Sequence, residues 1–208
     1  MALETTVTSY GAANEFQTDN ATIRLAGSVP SAISDYVVAK ELGGGGTPRQ
    51  TILTVTALPV VTGNTTGASF GSRQIYDFPA GRILVLGTTA NFTSITFNTA
   101  AGATGDIAGG GSGDYAIGTT ATADATIDST DVNLLPSSAM LDPFVSGVGR
   151  SNAGTALASS AQFDGTSTAV DAHLNVIIDD ADVSDAAAND NVYFTGTITI
   201  TWINLGDY

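Results

Sequence analysis

His173 is the side chain from which a catalytic site would have to be built, because it is the only histidine in the chain. A Ser-His-Asp arrangement for acyl transfer would depend on it, and a metal site made of several histidines is excluded. Asp171 lies two positions earlier, but the local alternation predicts a strand with His173 on the face opposite to Leu174 and Val176. We therefore interpret His173 as a strand-surface residue and predict no catalytic residues.

A second candidate is an acidic loop between two predicted strands. It contains Asp179, Asp180, Asp182, Asp185, Asn189 and Asp190. Such hard oxygen ligands suit calcium, but the EF-hand pattern fails because its sixth-position glycine and twelfth-position glutamate are absent. Loops rich in Asp and Asn are also common for their turn geometry alone. We predict no metal site, and calcium binding by this loop stays an open alternative.

Phosphate and glycan signals are weak. The run Gly109–Gly113 is followed neither by Lys and Ser/Thr nor by a predicted helix, so it lacks the donors that hold phosphate and is interpreted as a flexible loop. Asn20, Asn64 and Asn91 match the N-glycosylation pattern, which has meaning only in a secretory pathway. The first residues lack a basic and an apolar signal region. We expect no cofactor, and a protein made in a cytoplasm.

Charge limits the partners. Twenty acidic residues oppose six basic ones, for a net charge of −14, and the basic residues form no cluster. This field repels phosphate backbones and anionic lipid, so we expect binding to neither nucleic acid nor membranes. The chain has no cysteine, which excludes disulfides, thiol catalysis and thiolate metal sites.

The elements that must carry these residues are predicted to be strands. After Glu41 the chain uses Asp, Thr, Gly and Asn and no further Glu or Lys, a composition that favours turns and strands over helix surfaces. We predict an all-β fold, a jelly-roll or related antiparallel β-sandwich, over residues 49–208. Residues 1–48, which contain a glycine run near their end, are predicted to form an N-terminal arm and linker that docks on a neighbouring subunit, with a poorly ordered terminus and loop as the alternative.

Local patterns add detail to this fold. The clearest strand is Val192–Ile203, with Val192, Phe194, Ile198, Ile200 and Trp202 on one face and mainly threonine on the other. Gly196 predicts a bulge or a close backbone approach. Pro79–Gly81 predicts a tight turn before Ile83–Leu86, a strand expected to be buried on both faces. Residues 133–160 are expected to be a long crossing loop.

Two stretches resemble a known family. They are Gly113–Thr126 (GDYAIGTTATADAT) and Leu174–Tyr208, which includes LNVIIDDAD and GTITITWINLGD. Together they resemble the decoration or cement proteins of tailed-bacteriophage heads. The resemblance implies a β-sandwich or jelly-roll homotrimer on the virion surface, bound to the major capsid protein, and it transfers no catalytic residues.

Other functions are also considered. A phage fibre or other jelly-roll module that binds glycan is the main alternative, and it predicts an exposed aromatic platform; the aromatic residues here fall mostly on predicted core faces. An enzyme needs a matched acid and base, which a single histidine and scattered aspartates do not supply. The sequence therefore predicts a structural virion protein.

Overall fold

The structure, a computed structural model, describes residues 15–18, 21–24, 27–43, 48–65, 68–98, 113–124, 126–140, 148–152, 162–179 and 190–206. The strands in these ranges are β1 (Glu15–Thr18), β2 (Ala21–Arg24), β3 (Val37–Leu42), β4 (Arg49–Thr65), β5 (Ala68–Asp77), β6 (Arg82–Asn98), β7 (Gly113–Gly118), β8 (Leu135–Met140), β9 (Val148–Asn152), β10 (Gln162–Asp164), β11 (Asp171–Asp179) and β12 (Asp190–Asn204). Short 3₁₀ turns lie at Ser31–Ile33 and Ser129–Asp131. No helix in these ranges is long and apolar enough to cross a membrane.

The strands pair antiparallel, which confirms the predicted all-β fold class. The main sheet has the order β10-β6-β12-β4-β5-β11-β7-β8, with β3 added to β4 and β9 added to β6, and β1 and β2 form a separate two-stranded sheet. The main sheet curls into a half-barrel that is compatible with a β-sandwich or jelly-roll. Curling lets one sheet bury its inner face while the outer face contacts solvent.

Aromatic rings fill the space between the two ends of the curled sheet. The Tyr115 ring on β7 lies 5.2 Å from the Phe92 ring on β6 and 6.1 Å from the Phe194 ring on β12, measured between centroids, although β7 is not a sheet neighbour of either strand. Phe78, just after β5, packs edge-on against Trp202 at 5.6 Å. Edge-to-face pairs of this kind are favoured by the ring quadrupole. These contacts join what we call the β12 half (β10, β6, β12, β4, β3 and β9) to the β11 half (β5, β11, β7 and β8).

The last strand behaves as its sequence predicts. Val192, Phe194, Ile198, Ile200 and Trp202 are all at most 2% exposed, whereas the alternating threonines are half-exposed. β12 lies between β4 and β6, so both of its edges are paired. A strand with this pattern can satisfy its backbone in the sheet and bury one complete face.

Gly196 marks the bulge predicted for β12. The register slips beside it on both sides, since Phe194 pairs with Leu58 and Gly196 with Val55 on β4, and a similar slip occurs against β6. Gly196 has φ +154°, and a Cβ at this position would lie 2.2 Å from the backbone oxygen of Asn91. Only glycine fits where the neighbouring backbone comes this close.

The boundary predicted at residue 48 needs correction. β3 pairs with β4 from Val37↔Val55 to Leu42↔Gln50, and Ile33 and Val37 are 1% and 3% exposed in the core. Ser28 and Asp77 exchange two backbone hydrogen bonds of 2.9 and 2.8 Å. Residues 27–42 therefore belong to the sandwich, because their apolar side chains complete its core; a separate arm can include at most the residues before Gly27.

Two local predictions are wrong, and one is confirmed. Residues 133–160, expected to be a loop, contain β8 and β9; β8 tolerates Pro136 because it is an edge strand, where a missing N–H is not needed. In Ile83–Leu86, Leu84 and Leu86 on the outer face of β6 are half-exposed, so this strand is buried on one face only. Pro79–Gly81 does form a turn, with φ +119° at Gly81, and it connects β5 in one half to β6 in the other.

Candidate functional site

His173 lies on the outer face of β11, opposite to the buried Leu174 and Val176, as predicted. Its Nδ1 is 3.4 Å from the Ser72 Oγ on β5. Burial lowers the pKa of His173, while the charges of Asp77 and Asp131 act in the opposite direction. A 3.4 Å contact is at the long limit of a hydrogen bond. His173 is thus placed in a cross-strand contact of the sheet surface, not in the short, carboxylate-supported hydrogen bond typical of a catalytic base.

Two carboxyl groups meet beside His173. Asp171 on β11 is paired in register with Asp77 on β5, and their side chains share a hydrogen bond. Gln74 donates its amide N–H to Asp77 Oδ1, and Ser28 Oγ donates to Asp77 Oδ2 at 3.3 Å. Burial raises the pKa of Asp171 to about 6, and the hydrogen bond and charge of Asp77 act in the same direction. The proton that Asp171 holds below about pH 6 removes the repulsion between two carboxylates in directly opposed positions.

A buried amide holds the loop after β7 against the sheet. Asn175 on β11 is fully buried, and its Oδ1 accepts a 3.1 Å hydrogen bond from the Thr122 N–H. Its Nδ2 donates to the backbone oxygens of Thr120 and Asp131, both at 2.9 Å. All three of these interactions satisfy loop backbone that the sheet itself does not pair. Asn175 therefore fixes the loop over the outer face of the β11 half.

A second polar cluster attaches β3 to the sandwich. The Glu41 carboxylate on β3 accepts hydrogen bonds from Tyr76 and from Thr51, the latter at 2.8 Å, and Thr51 Oγ1 also accepts the Trp202 indole N–H at 2.8 Å. The Arg49 guanidinium lies 5.5 Å from the centroid of the Trp202 ring. Burial raises the pKa of Glu41, and the two hydrogen bonds and the Arg49 charge oppose it. These contacts have the character of a structural anchor, with each group held by a neighbour from another strand.

A further polar surface lies on the outer faces of β4, β12 and β6. We call it the threonine face: Thr54 and Thr56 on β4, Thr195, Thr197, Thr199 and Thr201 on β12, Thr89 and Thr93 on β6, together with Gln50, Ile52 and Asn91. Its side chains stand in rows across the strands, as in Thr54↔Thr197↔Asn91 and Ile52↔Thr199↔Thr89. Rows of β-branched side chains hold each other in place on a sheet, so the threonine face is a stiff surface.

Charge is distributed unevenly over the sheet: within the β12 half, the exposed Asp164 on β10 and Arg82 on β6 lie outside the threonine face. No residue of the threonine face is charged, and Lys40 on the adjoining β3 is exposed beside it. The β11 half carries Asp77, Asp114 and Asp171 on its strands, and the loop fixed by Asn175 adds exposed aspartates at Asp124 and Asp128. In a chain with a net charge of −14, the threonine face is therefore a surface whose own residues carry no charge.

Several predicted site residues are outside the described part of the chain. These are Gly109–Ser112 of the glycine run, Asp180, Asp182, Asp185 and Asn189 of the acidic loop, and Asn20. Asn91 is exposed on β6. Across the described ranges, no three His, Asp or Glu side chains are grouped so that they could hold a metal ion.

Comparison of the chain with protein-family models, curated proteins and solved structures finds no match. The threonine face is thus defined by its geometry and charge alone. The period of two in the sequence predicts that the β12 threonines share one face. It does not predict that the threonines of β4 and β6 lie beside them in the sheet. The signal was a polar residue at every second position in three stretches, namely TVT at residues 54–56, TANFT at residues 89–93 and TGTITIT at residues 195–201.

Proposed function

We propose that this chain is a decoration protein that lies on the outside of a tailed-phage capsid and stabilises the expanded lattice. The observation that carries the proposal is the division of charge: an uncharged threonine face on one half, and aspartates grouped on the other. A protein that coats a large assembly needs one face for the assembly and one for solvent, and these two faces have the properties that each task requires.

The threonine face suits a protein lattice for two physical reasons. Its hydroxyl and methyl groups contact both polar and apolar surface, and no charge has to lose its water when the face is covered. The aspartates of the other half would then point outward, where they keep decorated particles apart. The resemblance to decoration proteins noted above includes Gly196–Asp207 on and after β12, a run that supplies three residues of this face, Thr197, Thr199 and Thr201.

Stabilisation follows from preferential binding. A ligand that binds only the expanded lattice lowers the free energy of that state by mass action, and a copy that bridges neighbouring capsid subunits also holds them together. The segment before Gly27 is a second contact in this proposal. β1 and β2 form a two-stranded sheet of their own, and such a hairpin is marginally stable in water unless another surface covers it.

Glycan binding by a fibre-like module is less well supported. It needs exposed aromatic rings, and the large aromatic side chains Tyr76, Phe92, Tyr115, Phe194 and Trp202 are fully buried in the core. Tyr36, at 37% exposure, is the exposed aromatic residue among the described ones. A single exposed tyrosine does not form the stacked platform that sugar rings require.

The test is cosedimentation with expanded and unexpanded heads purified from the phage that encodes the chain. We expect binding to expanded heads, and loss of that binding in Thr54→Glu/Thr199→Glu, which puts two carboxylates on the threonine face. The control is Thr168→Glu, an exposed position in the loop between β10 and β11, which should bind like the wild type. The proposal would be contradicted if the wild type did not bind expanded heads, or if the two variants bound them equally. Selective binding to glycans on an array would favour the fibre module.

A further inference from the structure

Exposed apolar side chains gather at the edge strand β3. Among the described residues, Tyr36, Val38 and Leu42 are large hydrophobic side chains that are 37%, 67% and 40% exposed, and all three lie within one seven-residue stretch. Val38 and Leu42 are on the same outward face of β3, because residues two apart along a strand point the same way. A short edge strand that exposes this much apolar surface is typical of a contact region.

The backbone of β3 is also open on one side. β3 pairs with β4 along one edge, and no strand in the described ranges pairs with its other edge. An unpaired edge presents a row of N–H and C=O groups that another strand can use. The inner face of β3 is fixed by the Val37 side chain in the core and by the hydrogen bonds of Glu41, so the strand is held ready and does not need to fold on binding.

The charge of this region selects the occupant. A second copy of this chain carries a charge of −14 as well, so two copies repel each other wherever their aspartates meet. The outward residues of β3 and the adjoining threonine face include no acid, and Lys40 is exposed there. A cationic partner would instead be drawn to the β11 half. We propose that β3 pairs with β3 of a second copy, so that the two main sheets join edge to edge across a two-fold axis.

One register fits the side chains. With Ala39 at the axis, Tyr36 lies opposite Leu42 of the second copy, and Val38 lies opposite Lys40 of the second copy, whose methylene stem can cover it. This register keeps the two lysines from directly opposing positions, where like charges destabilise a sheet. The contact is two-fold, and it differs from the three-fold arrangement that the family resemblance implies. It does not depend on the proposed function.

Sedimentation of the full chain tests the contact. We expect a dimer for the wild type and a monomer for Val38→Lys, because each new lysine then lies directly opposite Lys40 of the second copy, and like charges in directly opposed positions destabilise a sheet. The control Leu205→Lys, at a leucine that is 43% exposed outside β3, should remain a dimer. A wild-type monomer at every concentration would overturn the inference. So would an oligomer of any size that Val38→Lys leaves intact, and a mass of three chains in that case would favour the three-fold arrangement.

Cross-linking tests the register, and because the chain has no cysteine, no native thiol can form a competing disulfide. Directly opposed residues of antiparallel strands have Cα atoms about 4.5–5.5 Å apart, inside the disulfide range. Ala39→Cys should therefore form a disulfide dimer under mild oxidation, and Leu205→Cys should not. Failure of Ala39→Cys to cross-link in a sample that sediments as a dimer, or equal cross-linking of the two variants, would overturn the proposed pairing.

Discussion

Asp77 and Asp171 lie directly opposite each other on β5 and β11, and their carboxyl groups share a hydrogen bond. Ser28 hydrogen-bonds to Asp77 through both its backbone and its side chain. The pair therefore joins three segments of the chain: the N-terminal part of the sandwich, β5 and β11. Since like charges directly opposite destabilise a sheet, this junction is stronger when the pair retains a proton.

The first prediction concerns pH. Burial and Asp77 raise the folded-state pKa of Asp171 from 3.8 to about 6. A raised carboxyl pKa means that its contribution to the free energy of unfolding is complete below pH 3.8 and is lost as pH rises through about 6. Asp171→Asn should remove this loss. Because Asp171 is half-buried and solvent screens part of its interaction with Asp77, we expect about 1 kcal/mol, well below the full conversion of the shift.

Urea denaturation between pH 4 and pH 8 measures this effect. Asp35→Asn, at an exposed aspartate in the turn before β3, is the control and should keep the wild-type pH dependence. If Asp171→Asn and Asp35→Asn have the same pH profile, the carboxyl pair does not hold a proton in the folded state.

The second prediction concerns the bulge at Gly196. In Gly196→Ala the new Cβ would lie 2.2 Å from the Asn91 oxygen and 2.6 Å from the Phe92 Cα, both backbone atoms that cannot move without disturbing β6. We expect a loss of about 3 kcal/mol in the free energy of unfolding. Gly63→Ala, on β4, is the matched control because nothing lies within 4 Å of its Cβ position. Thermal denaturation of both variants tests the difference, and equal melting temperatures would contradict it.

The third prediction concerns the amide that holds the loop after β7. Asn175→Ala leaves the Thr122 N–H and the backbone oxygens of Thr120 and Asp131 without their partner. We expect a loss of about 2–4 kcal/mol, because buried backbone groups then lack hydrogen bonds. Hydrogen exchange at the Thr122 amide should become faster. Asn91→Ala, at an exposed asparagine on β6, serves as control; unchanged exchange at Thr122 in Asn175→Ala would show that the loop is held by other contacts.

The fourth prediction concerns the N-terminal boundary. Deleting residues 1–26 should leave the unfolding transition of the sandwich unchanged, because Gly27 onward supplies the first described contacts with the body, including the 2.9 Å hydrogen bond from its N–H to the Tyr76 hydroxyl. Deleting residues 1–46 should destabilise it severely, since β3, Ile33 and Val37 are then lost from the core. Chemical denaturation of the two truncated chains decides the matter. Equal stability of both would restore the boundary at residue 48.

The fourth prediction also changes how a capsid-binding arm must be tested. Loss of capsid binding after deletion of residues 1–46 would not distinguish a missing arm from a damaged sandwich. The deletion that ends at residue 26 separates the two, because it spares the core. Capsid binding that survives this deletion would assign the contact to the sandwich.

The strands themselves could be predicted from the sequence. β12 alternates apolar residues with threonine over most of its length, and a period of two is a local property that a single strand expresses wherever it lies. Gly196 was predictable for the same reason, because an isolated glycine in such a pattern indicates a bulge or a close approach. The half-exposed position of His173 could be predicted in the same way, because its neighbours Ala172 and Leu174 point to the opposite face of the strand.

The partners of each strand were decided by tertiary structure. Thr197 is flanked by Thr54, which is more than a hundred residues away in the chain, and by Asn91. Pairing over such separations depends on how the whole chain collapses, and the local pattern of β12 does not encode it. The position of β3 also depends on tertiary packing. From the sequence its six residues could be assigned to an arm, whereas in the structure Val37 is buried in the core and Glu41 accepts a hydrogen bond from Thr51.

The sequence by itself determined that this protein is built of antiparallel strands and that its acids greatly outnumber its bases, because both properties are sums over local choices of residue. Only the tertiary structure decided that the threonines of β4, β12 and β6 would share one uncharged face, and that Asp77 and Asp171 would lie opposite each other on the β11 half. The distribution of charge over a surface depends on which strands become neighbours, and that is settled by packing of the common core.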